Sequence, residues 1–355
     1  MIISDLEELR RCFPSHALQS IDPLMGTIDN SEHDFLQEKL GVPLYNKLCE
    51  HYKNSVHPLE EDAATSYYNR LLLMSQRAVV FDTFGRCIGA HIISINNAGV
   101  NISTADGYQK VDKEIITEFK NTCTKEAHSA INRLLATLEE WVQYVAVSEY
   151  PDVQLQEIVS LWRKSRYYYL CAELILPSAR VLQEYLNIYD SREKFIMMLP
   201  DIRYIQEEML VPAIGEDLTD VLVAESQKRV SPVVIQSQQT EPTEPTTPTP
   251  PTPPTKYLNR TIHAARKFMA AALEERTEIL RTNANRRAKA HDEQVRLLQS
   301  LKEYIASHQS DFLTLNEAAM KGSPLYVAPD DNTCCCTDFE NNKKGNSIFV
   351  TPPLY

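Results

Sequence analysis

Three adjacent cysteines, Cys334 to Cys336, are the first residues in this sequence whose chemistry needs an explanation. Thiolates bind zinc, but a tetrahedral site takes cysteines separated by two to four residues, together with a second pair of ligands. Adjacent side chains point in divergent directions, and the closest histidine along the chain is His308. The spacing therefore argues against a metal site and favours exposed thiols near the end of the chain.

Histidines and paired carboxylates are the other candidates for chemistry. His128, His263 and His291 have no carboxylate or cysteine at a repeating spacing, which is typical of solvated or core histidines. General acid–base catalysis needs two titratable groups in one pocket, whereas Glu139–Glu140 and Glu207–Glu208 are typical of exposed helix faces. The phosphate-binding, dinucleotide-binding, serine-hydrolase and zinc-protease motifs are absent from the sequence. We therefore expect no catalytic residues and no cofactor.

The net charge of −12 argues against a surface that binds nucleic acid throughout. Positive charge is concentrated between Lys256 and Lys302, where eleven Lys and Arg residues accompany five Asp and Glu residues. Within this stretch, the basic run "RTNANRRAKA" supplies the candidate DNA-facing residues Arg281, Arg286, Arg287 and Lys289. A solvated helix end is the simpler interpretation, and DNA passing through a channel is the alternative partner.

Cysteine usage and the first residues favour a cytosol-like compartment. The eight cysteines have no spacing typical of a disulfide framework. The opening "MIISDLEELRRCF" is acidic where a signal peptide has a basic end and an apolar run. No apolar stretch approaches the roughly 20 residues of a membrane span. We expect free thiols and no membrane partner.

Helices are the predicted elements that position all of these residues. Apolar residues at helical spacing predict long amphipathic helices over 63–92 and 110–147. Between them, alternating Ile and Val residues around Asn-Asn-Ala-Gly predict a small β-hairpin near 91–103. A further helical run over 154–188 contains Pro177, which predicts a kink or a break.

Three motifs occur twice along the chain and in the same order. The first is an aliphatic residue followed by glycine and a short apolar helix, the second is Tyr-x-Asn-Arg, and the third begins Arg-Leu-Leu. The paired segments are 40–48 and 214–222, 67–70 and 257–260, and 133–142 and 296–305. This order predicts an internal duplication, and coincidence among amphipathic helices is the alternative.

The predicted fold is therefore mainly α, with two related helical-bundle repeats in tandem. The first repeat covers 1–150, connecting helices cover 151–195, and the second repeat covers 196–320. A Pro/Thr-rich spacer at 236–255 interrupts the second repeat as a semi-rigid, extended segment. Residues 321–355 are predicted to form an extended tail.

Aromatic residues supply the main candidate interaction surface. Tyr167, Tyr168 and Tyr169 are consecutive, and Trp162 precedes them. On a helix, three consecutive aromatic side chains would cover most of the circumference, so at least one would leave the core. Because Tyr and Trp are enriched at interfaces, we expect a contact between subunits or between repeats. The alternative places one tyrosine in the core and two at its rim.

The tail offers a second candidate interface. Its one β-prone patch contains Ile348, Phe349 and Val350. Such a patch is expected to add a strand to a neighbouring subunit, and an unattached terminus is the alternative.

The segment "NIYDSREKFIMMLPDIRYIQEEMLVPAIGEDLTDVL" at 187–222 resembles a family of uncharacterised helical proteins from phages and prophages of Bacteroides-type bacteria. The motifs that carry the resemblance are Ile-x-x-Ser-Arg-x-x-Phe from Ile188, Leu-Pro-x-Ile-Arg from Leu199 and Pro-x-Ile-Gly from Pro212. More distantly, residues 35–48 are similar to head–tail connector proteins of tailed phages, which form a ring beneath the portal.

These resemblances imply a structural virion protein that assembles in the host cytoplasm as a ring homo-oligomer and has no active site. The implied partners are other copies of the chain, the portal, and neighbouring neck or tail proteins. A cytosolic helical-repeat adaptor or scaffold without catalytic activity is the alternative function.

Overall fold

Helices dominate the computed structural model, which describes residues 1–13, 20–55, 66–96, 99–102, 113–229, 253–277 and 284–328. The first helix set consists of α1 (Leu6–Cys12), α2 (Met25–Ser31), α3 (Glu38–Leu40), α4 (Val42–Asn54), α5 (Tyr67–Ile92), α6 (Lys113–Val147) and α7 (Val153–Arg163). The second helix set consists of α8 (Ala179–Gln183), α9 (Arg192–Ile205), α10 (Val211–Ile214), α11 (Glu216–Arg229), α12 (Pro253–Arg276), α13 (Ala284–Ser307), α14 (Gln309–Leu315) and α15 (Glu317–Gly322). The prediction of a mainly helical fold is confirmed.

Two short strands follow directly on α5. They are β1 (Ile93–Asn96) and β2 (Gly99–Ile102), which pair antiparallel with Ile93 opposite Ile102. Both strands lie within the segment 91–103. The predicted spacer lies outside the described residues except for 253–255, where α12 begins, and the predicted tail lies outside them except for 321–328.

Side-chain caps fix the start of several helices. At each of these positions a side-chain oxygen accepts a hydrogen bond from a backbone N–H of the first helical turn, which otherwise has no partner. The capping residues are Asp5, Asp152, Ser178, Ser191 and Asn316. At Asp5 the cap is reciprocal, because the Glu8 side chain accepts from the Asp5 N–H. Local sequence therefore encodes where these helices begin.

Two pairs of long helices form the centre of the molecule. α5 packs along α6 and α12 packs along α13, while α2 lies on α5 and α9 lies on α12. The apolar stripes of these helices meet in one continuous core, into which Leu72, Leu138, Phe268 and Leu301 are fully buried. Burial of such stripes is the main favourable term in folding.

The run predicted as helical over 154–188 is broken much earlier than Pro177. α7 ends at Arg163, and residues 164–178 form turns and extended backbone. The hydroxyl of Ser165 accepts a hydrogen bond from the Tyr167 N–H at 3.1 Å, which turns the backbone out of the helix. The expectation that the three tyrosines lie on a helix is therefore wrong.

Candidate interaction surface

The aromatic residues that were predicted to form an interface differ in their exposure. Trp162 is 0% exposed and donates its Nε1–H to the carbonyl of Lys39 at 3.2 Å. Tyr169 is 3% exposed, while Tyr167 and Tyr168 are half-buried. Trp162 and Tyr169 are thus covered within this chain and are not available to a second subunit. Tyr167 and Tyr168 remain candidates for a partner.

Tyr169 belongs to a buried polar network that joins the two helix sets. Its hydroxyl donates to Glu139 Oε1 on α6 at 2.7 Å. Arg192 at the start of α9 lies 3.3 Å from Glu139 Oε2 and 2.7 Å from Asp190 Oδ2. Burial raises the pKa of Glu139, and the Arg192 guanidinium opposes that shift. The expectation that Glu139 lies on an exposed face is wrong, because these partners draw it into the core.

A strained turn places Arg192 in this network. Tyr189 and Asp190 have φ values of 59° and 51°, a conformation that is uncommon for residues with a side chain. The Gln183 side chain accepts the Asp190 N–H at 2.8 Å, and Asn132 on α6 donates to the Asp190 carbonyl at 3.1 Å. The Arg192 N–H returns a hydrogen bond to Asn132 Oδ1 at 2.8 Å. The turn is therefore held against α6 by several bonds at once.

Apolar contacts complete the same junction. Leu135 on α6 is buried, as are Phe195 and Leu199 on α9. The rings of Tyr169 and Phe195 are 6.3 Å apart in an edge-on arrangement. We call the surface formed by Asn132, Leu135, Glu139 and Tyr169 the α6 surface. It is covered by the beginning of α9 from the second helix set.

Gly41 and Gly215 end their preceding helical segments in nearly the same backbone conformation. Their φ and ψ values are 81° and 153° at Gly41 and 98° and 149° at Gly215. A Cβ on Gly41 would lie 2.0 Å from Ser165 Oγ, and one on Gly215 would lie 3.0 Å from Ser323 Cα. Each glycine thus meets a serine that follows the last helix of its own set.

The two serines also make matching turns. Ser165 Oγ accepts from the N–H two residues later at 3.1 Å, and Ser323 Oγ does the same at 3.2 Å. The carbonyl of each serine accepts from the N–H three residues later, at 3.1 Å and 3.0 Å respectively. Nothing in the sequence around the serines marked them as equivalent, so sequence reasoning missed them.

A non-helical segment is held by a buried polar side chain at the start of each set. The Ile2 N–H donates to Glu32 Oε1 at 2.8 Å, and the Ile175 N–H donates to Gln206 Oε1 at 2.9 Å. Glu32 and Gln206 each begin a π-helical turn, over Glu32–Gln37 and Gln206–Leu210. Both side chains are buried.

One carbonyl group of each of these non-helical segments accepts a hydrogen bond from a long helix. Gln76 on α5 donates to the Ile2 carbonyl at 2.8 Å, and Arg266 on α12 donates to the Ile175 carbonyl at 3.1 Å. Gln76 and Arg266 each follow the tyrosine of their Tyr-x-Asn-Arg motif by nine residues. In both sets, therefore, the carbonyl of the non-helical segment is bound from the same position of the long helix.

The arginine of each Tyr-x-Asn-Arg motif stacks on an aromatic ring of the next long helix. The guanidinium carbon of Arg70 lies 5.9 Å from the Trp141 ring centre, and that of Arg260 lies 5.0 Å from the Tyr304 ring centre. Trp141 and Tyr304 occupy the same position in the two Arg-Leu-Leu motifs. Two of the three repeated motifs are therefore in contact with each other in both helix sets.

An exposed apolar patch lies where α6 ends and α7 begins. Its residues are Tyr144, Val147, Tyr150 and Val153, all of which are largely exposed. A groove of about 400 Å³ lies beside it and is lined by Val142, Ala146, Val147, Arg163, Tyr168 and Cys171, among others. Exposed apolar side chains grouped in this way are a candidate interaction site.

The remaining candidates lie on the surface or outside the described part of the chain. Arg287 and Lys289 are exposed on α13, so contact with DNA stays a prediction. Arg281, the side chain of Arg286, the residues Ile348, Phe349 and Val350, and Cys334 to Cys336 lie outside the described residues.

Each of the three histidines considered in the sequence analysis contacts a polar side chain within the described residues. His128 is 2.6 Å from Glu193, His291 is 3.2 Å from Glu275, and His263 is 2.8 Å from the Tyr185 hydroxyl. Within the part of the chain that the structure describes, no three His, Cys, Asp or Glu side chains come together in a way that would hold a metal ion. None of the described helices combines the length and the apolar character that crossing a membrane requires.

Comparison with known proteins gives one match. Residues 36–149 match a family model described as a family of unknown function, DUF6712. The matched segment begins in the π-helical turn before Gly41 and ends just after α6, so it includes Gly41, Arg70 and Trp141. No curated protein and no solved structure matches the chain.

Proposed function

We propose that the chain is a tandem pair of one helical module and that it serves as a structural subunit of a ring, as a head–tail connector or neck protein of a tailed phage. The first module runs from Ile2 to Tyr169 and the second from Ile175 to Val327. The predicted repeats were 1–150 and 196–320. The matching contacts reach beyond the end of the first predicted repeat and beyond both ends of the second.

The observation that carries the duplication is a set of matching contacts in the same order along the chain. They are the bound non-helical segment, the π-helical turn, the glycine with positive φ, the arginine on an aromatic ring, and the serine turn packed on the glycine. Any one of these could arise independently in helical proteins. Five in one order favour duplication over coincidence.

The structural role follows from repetition together with resemblance. A chain that carries two copies of one module presents related surfaces in succession, which suits head-to-tail assembly into a closed ring. The likeness of 187–222 and 35–48 to phage proteins supports the connector role in particular. The exposed apolar patch of Tyr144, Val147, Tyr150 and Val153 offers a surface for a different protein, such as a portal.

The size of the purified protein tests this function. We expect multi-angle light scattering to give a mass several times the chain's 40.5 kDa, and negative-stain images to show rings, either alone or after portal protein is added. A chain that stays monomeric with and without portal, over a wide range of concentrations, contradicts the ring. Far-ultraviolet circular dichroism provides the folding control.

The groove beside α6 favours a second candidate function, an adaptor that binds a peptide. Its lining is mainly apolar and includes Arg163, which would suit a segment with apolar side chains and one acidic group. Substitution Ala146→Arg would fill the groove. Loss of peptide binding by a monomeric protein would support the adaptor over the ring subunit.

A further inference from the structure

We infer that the chain binds a second copy of itself head to tail, through a surface on α13 that corresponds to the α6 surface. This inference rests on the proposed tandem modules and names the contact through which the proposed ring would form. It follows from positions that are covered by α9 in the first module and whose counterparts in the second module are exposed or half-buried.

The Arg-Leu-Leu motifs align the two helices residue by residue. They set Asn132, Leu135 and Glu139 of α6 opposite the residues Val295, Leu298 and Lys302 of α13. In the first module, Leu135 and Glu139 are buried and Asn132 is half-buried under α9. In the second module, Val295 is 53% exposed and Leu298 and Lys302 are half-buried. The face that α9 covers on α6 thus has a more open counterpart on α13.

The serine turns align a fourth position of this surface. With Ser165 set opposite Ser323, Tyr169 corresponds to Val327. Tyr169 is 3% exposed, whereas Val327 is 71% exposed. Val295 and Val327 are therefore both exposed, whereas their counterparts in the first module, Asn132 and Tyr169, contact the second module. We call Val295, Leu298, Lys302 and Val327 the α13 surface.

The segment that would cover the α13 surface is given by the alignment of the two glycine motifs, which sets segment 40–48 opposite 214–222 and Ile28 opposite Ile202. Phe195 and Leu199 of α9 cover the α6 surface, and with Ile202 set opposite Ile28 their counterparts are Ile21 and Met25. Ile21 and Met25 are half-buried, so part of each apolar side chain is open. The occupant of the α13 surface is therefore residues 21–25 of a second copy.

The charges at these positions suit the contact. Lys302 stands where α6 has Glu139, and the exposed Asp22 stands between Ile21 and Met25 in the covering segment. Lys302 is thus basic where Glu139 is acidic, and Asp22 adds an acidic group to the covering segment at the position of Ile196. Complementary charge of this kind favours one partner and one orientation.

The contact would use two different surfaces, one from each copy. Such a heterologous contact repeats with the same rotation at every step, and it closes into a ring when the rotation divides the full circle. The contact between the modules inside one chain and the contact between chains would then be of one kind. A ring of n chains would contain twice as many modules in near-equivalent positions.

Sedimentation velocity of a double variant tests the α13 surface. We expect Val295→Asp with Val327→Asp to weaken self-association at least about tenfold, since each substitution puts a charge where apolar surface is buried. The matched control is Val42→Asp, because Val42 is 50% exposed on α4 and lies outside the surface. The inference is overturned if the double variant assembles as tightly as the unchanged protein, or if Val42→Asp weakens assembly equally.

Photo-crosslinking identifies the occupant. A benzoylphenylalanine at position 295 should crosslink to a peptide that contains residues 21–25 of another chain, with isotope-labelled and unlabelled protein mixed to recognise links between chains. Links between chains that consistently avoid this peptide overturn the inference while leaving the ring proposal intact. Failure of the unchanged protein to self-associate contradicts both.

Discussion

Gly41 and Gly215 show how single residues fix the course of this chain. Each ends a helical segment with positive φ, and each is packed against a serine, Ser165 or Ser323, that lies more than a hundred residues away. Glycine is the residue that adopts this conformation without strain, and it also lets the serine backbone approach closely. The sequence predicts the equivalence of the glycines but not that of the serines, because a lone serine carries no pattern.

Alanine at these two glycines should destabilise the fold. We expect Gly41→Ala and Gly215→Ala each to lower the free energy of unfolding by about 1–3 kcal/mol from backbone strain alone, with Gly41→Ala the more severe because Ser165 Oγ leaves no room for a Cβ. Urea denaturation measures the effect.

Gly26 provides the matched control for this pair. It lies in α2, and a Cβ there would have no heavy atom within 4 Å. Gly26→Ala should therefore stabilise the protein by roughly 0.5–1 kcal/mol, as alanine does within helices. Equal losses at all three positions would show that the positive φ is not the cause.

The ion pair between Arg192 and Glu139 should be costly to break. Arg192→Met leaves the buried Glu139 carboxylate without its cation, and we expect a loss of about 3–5 kcal/mol at neutral pH. Lys321→Met breaks an exposed pair with Glu317 and should cost at most about 0.5 kcal/mol. Thermal or urea unfolding compares the two variants.

The pH dependence of the same variant provides a second readout. Because burial raises the pKa of Glu139 in the folded protein, the folded state holds this proton more tightly than the unfolded state does. The resulting stabilisation is complete below the ordinary glutamate pKa and is lost as pH rises through the raised value. Removing Arg192 raises that value further, so the loss caused by Arg192→Met should be smaller near pH 4 than at pH 7. An equal loss at both pH values would mean that the Glu139 charge is not responsible.

At the scale of elements, the long amphipathic helices were predictable and the breaks were not. Expected helices over 63–92 and 110–147 correspond to α5 and α6, since their apolar stripes have the helical period. The run over 154–188 is apolar on most of its surface, so its period gives no sign of the turn after Arg163. Buried Trp162 donates a hydrogen bond to the Lys39 carbonyl, and buried Tyr169 donates one to Glu139. Such contacts between residues that are distant along the chain cannot be predicted from a single sequence.

The non-helical segments around Ile2 and Ile175 are each bound by a long helix, which gives an element-scale prediction. Gln76→Ala removes the Gln76 donor to the Ile2 carbonyl and should cost about 1–3 kcal/mol. Arg266→Ala removes the corresponding donor to the Ile175 carbonyl, but Ser226 also donates to that carbonyl at 3.3 Å. Gln76→Ala should therefore be the more destabilising of the two in urea denaturation.

An exposed glutamine on α13 serves as the control for these variants. Gln299 bonds only the exposed Glu303 side chain among its described contacts, and Gln299→Ala should change stability by at most about 0.5 kcal/mol. A larger effect of Arg266→Ala than of Gln76→Ala would contradict the view that hydrogen bonds to the Ile2 and Ile175 carbonyls hold the non-helical segments in place.

At the scale of the whole molecule, the two proposed modules differ in which apolar side chains they leave exposed. The exposed apolar patch occurs in the first module and has no matching patch among the described residues of the second. The Arg-Leu-Leu alignment sets the polar residues Ser307 and Ser310 opposite Tyr144 and Val147. The α13 surface belongs to the second module. We therefore propose the patch as the surface for a different protein, and the α13 surface as the surface for another copy of the chain.

Substitution within the patch should separate these two roles. We expect Tyr150→Asp with Val153→Asp to leave self-association unchanged in sedimentation velocity and to weaken capture of the chain by immobilised portal protein at least about tenfold. The Val295→Asp and Val327→Asp variant, compared at equal concentration, should show the reverse order of effects on the two assays. Loss of self-association in the patch variant would contradict this division.

Cryo-electron microscopy of the assembled protein tests the tandem head-to-tail account most directly. The measured quantity is the rotation that relates residues 2–169 to residues 175–327 within one chain, compared with the rotation that relates residues 175–327 to residues 2–169 of the next chain. We predict that the two rotations agree closely and that residues 21–25 cover Val295 and Val327 at every boundary between chains. Clearly different rotations, or boundaries that leave both valines exposed to solvent, would contradict it.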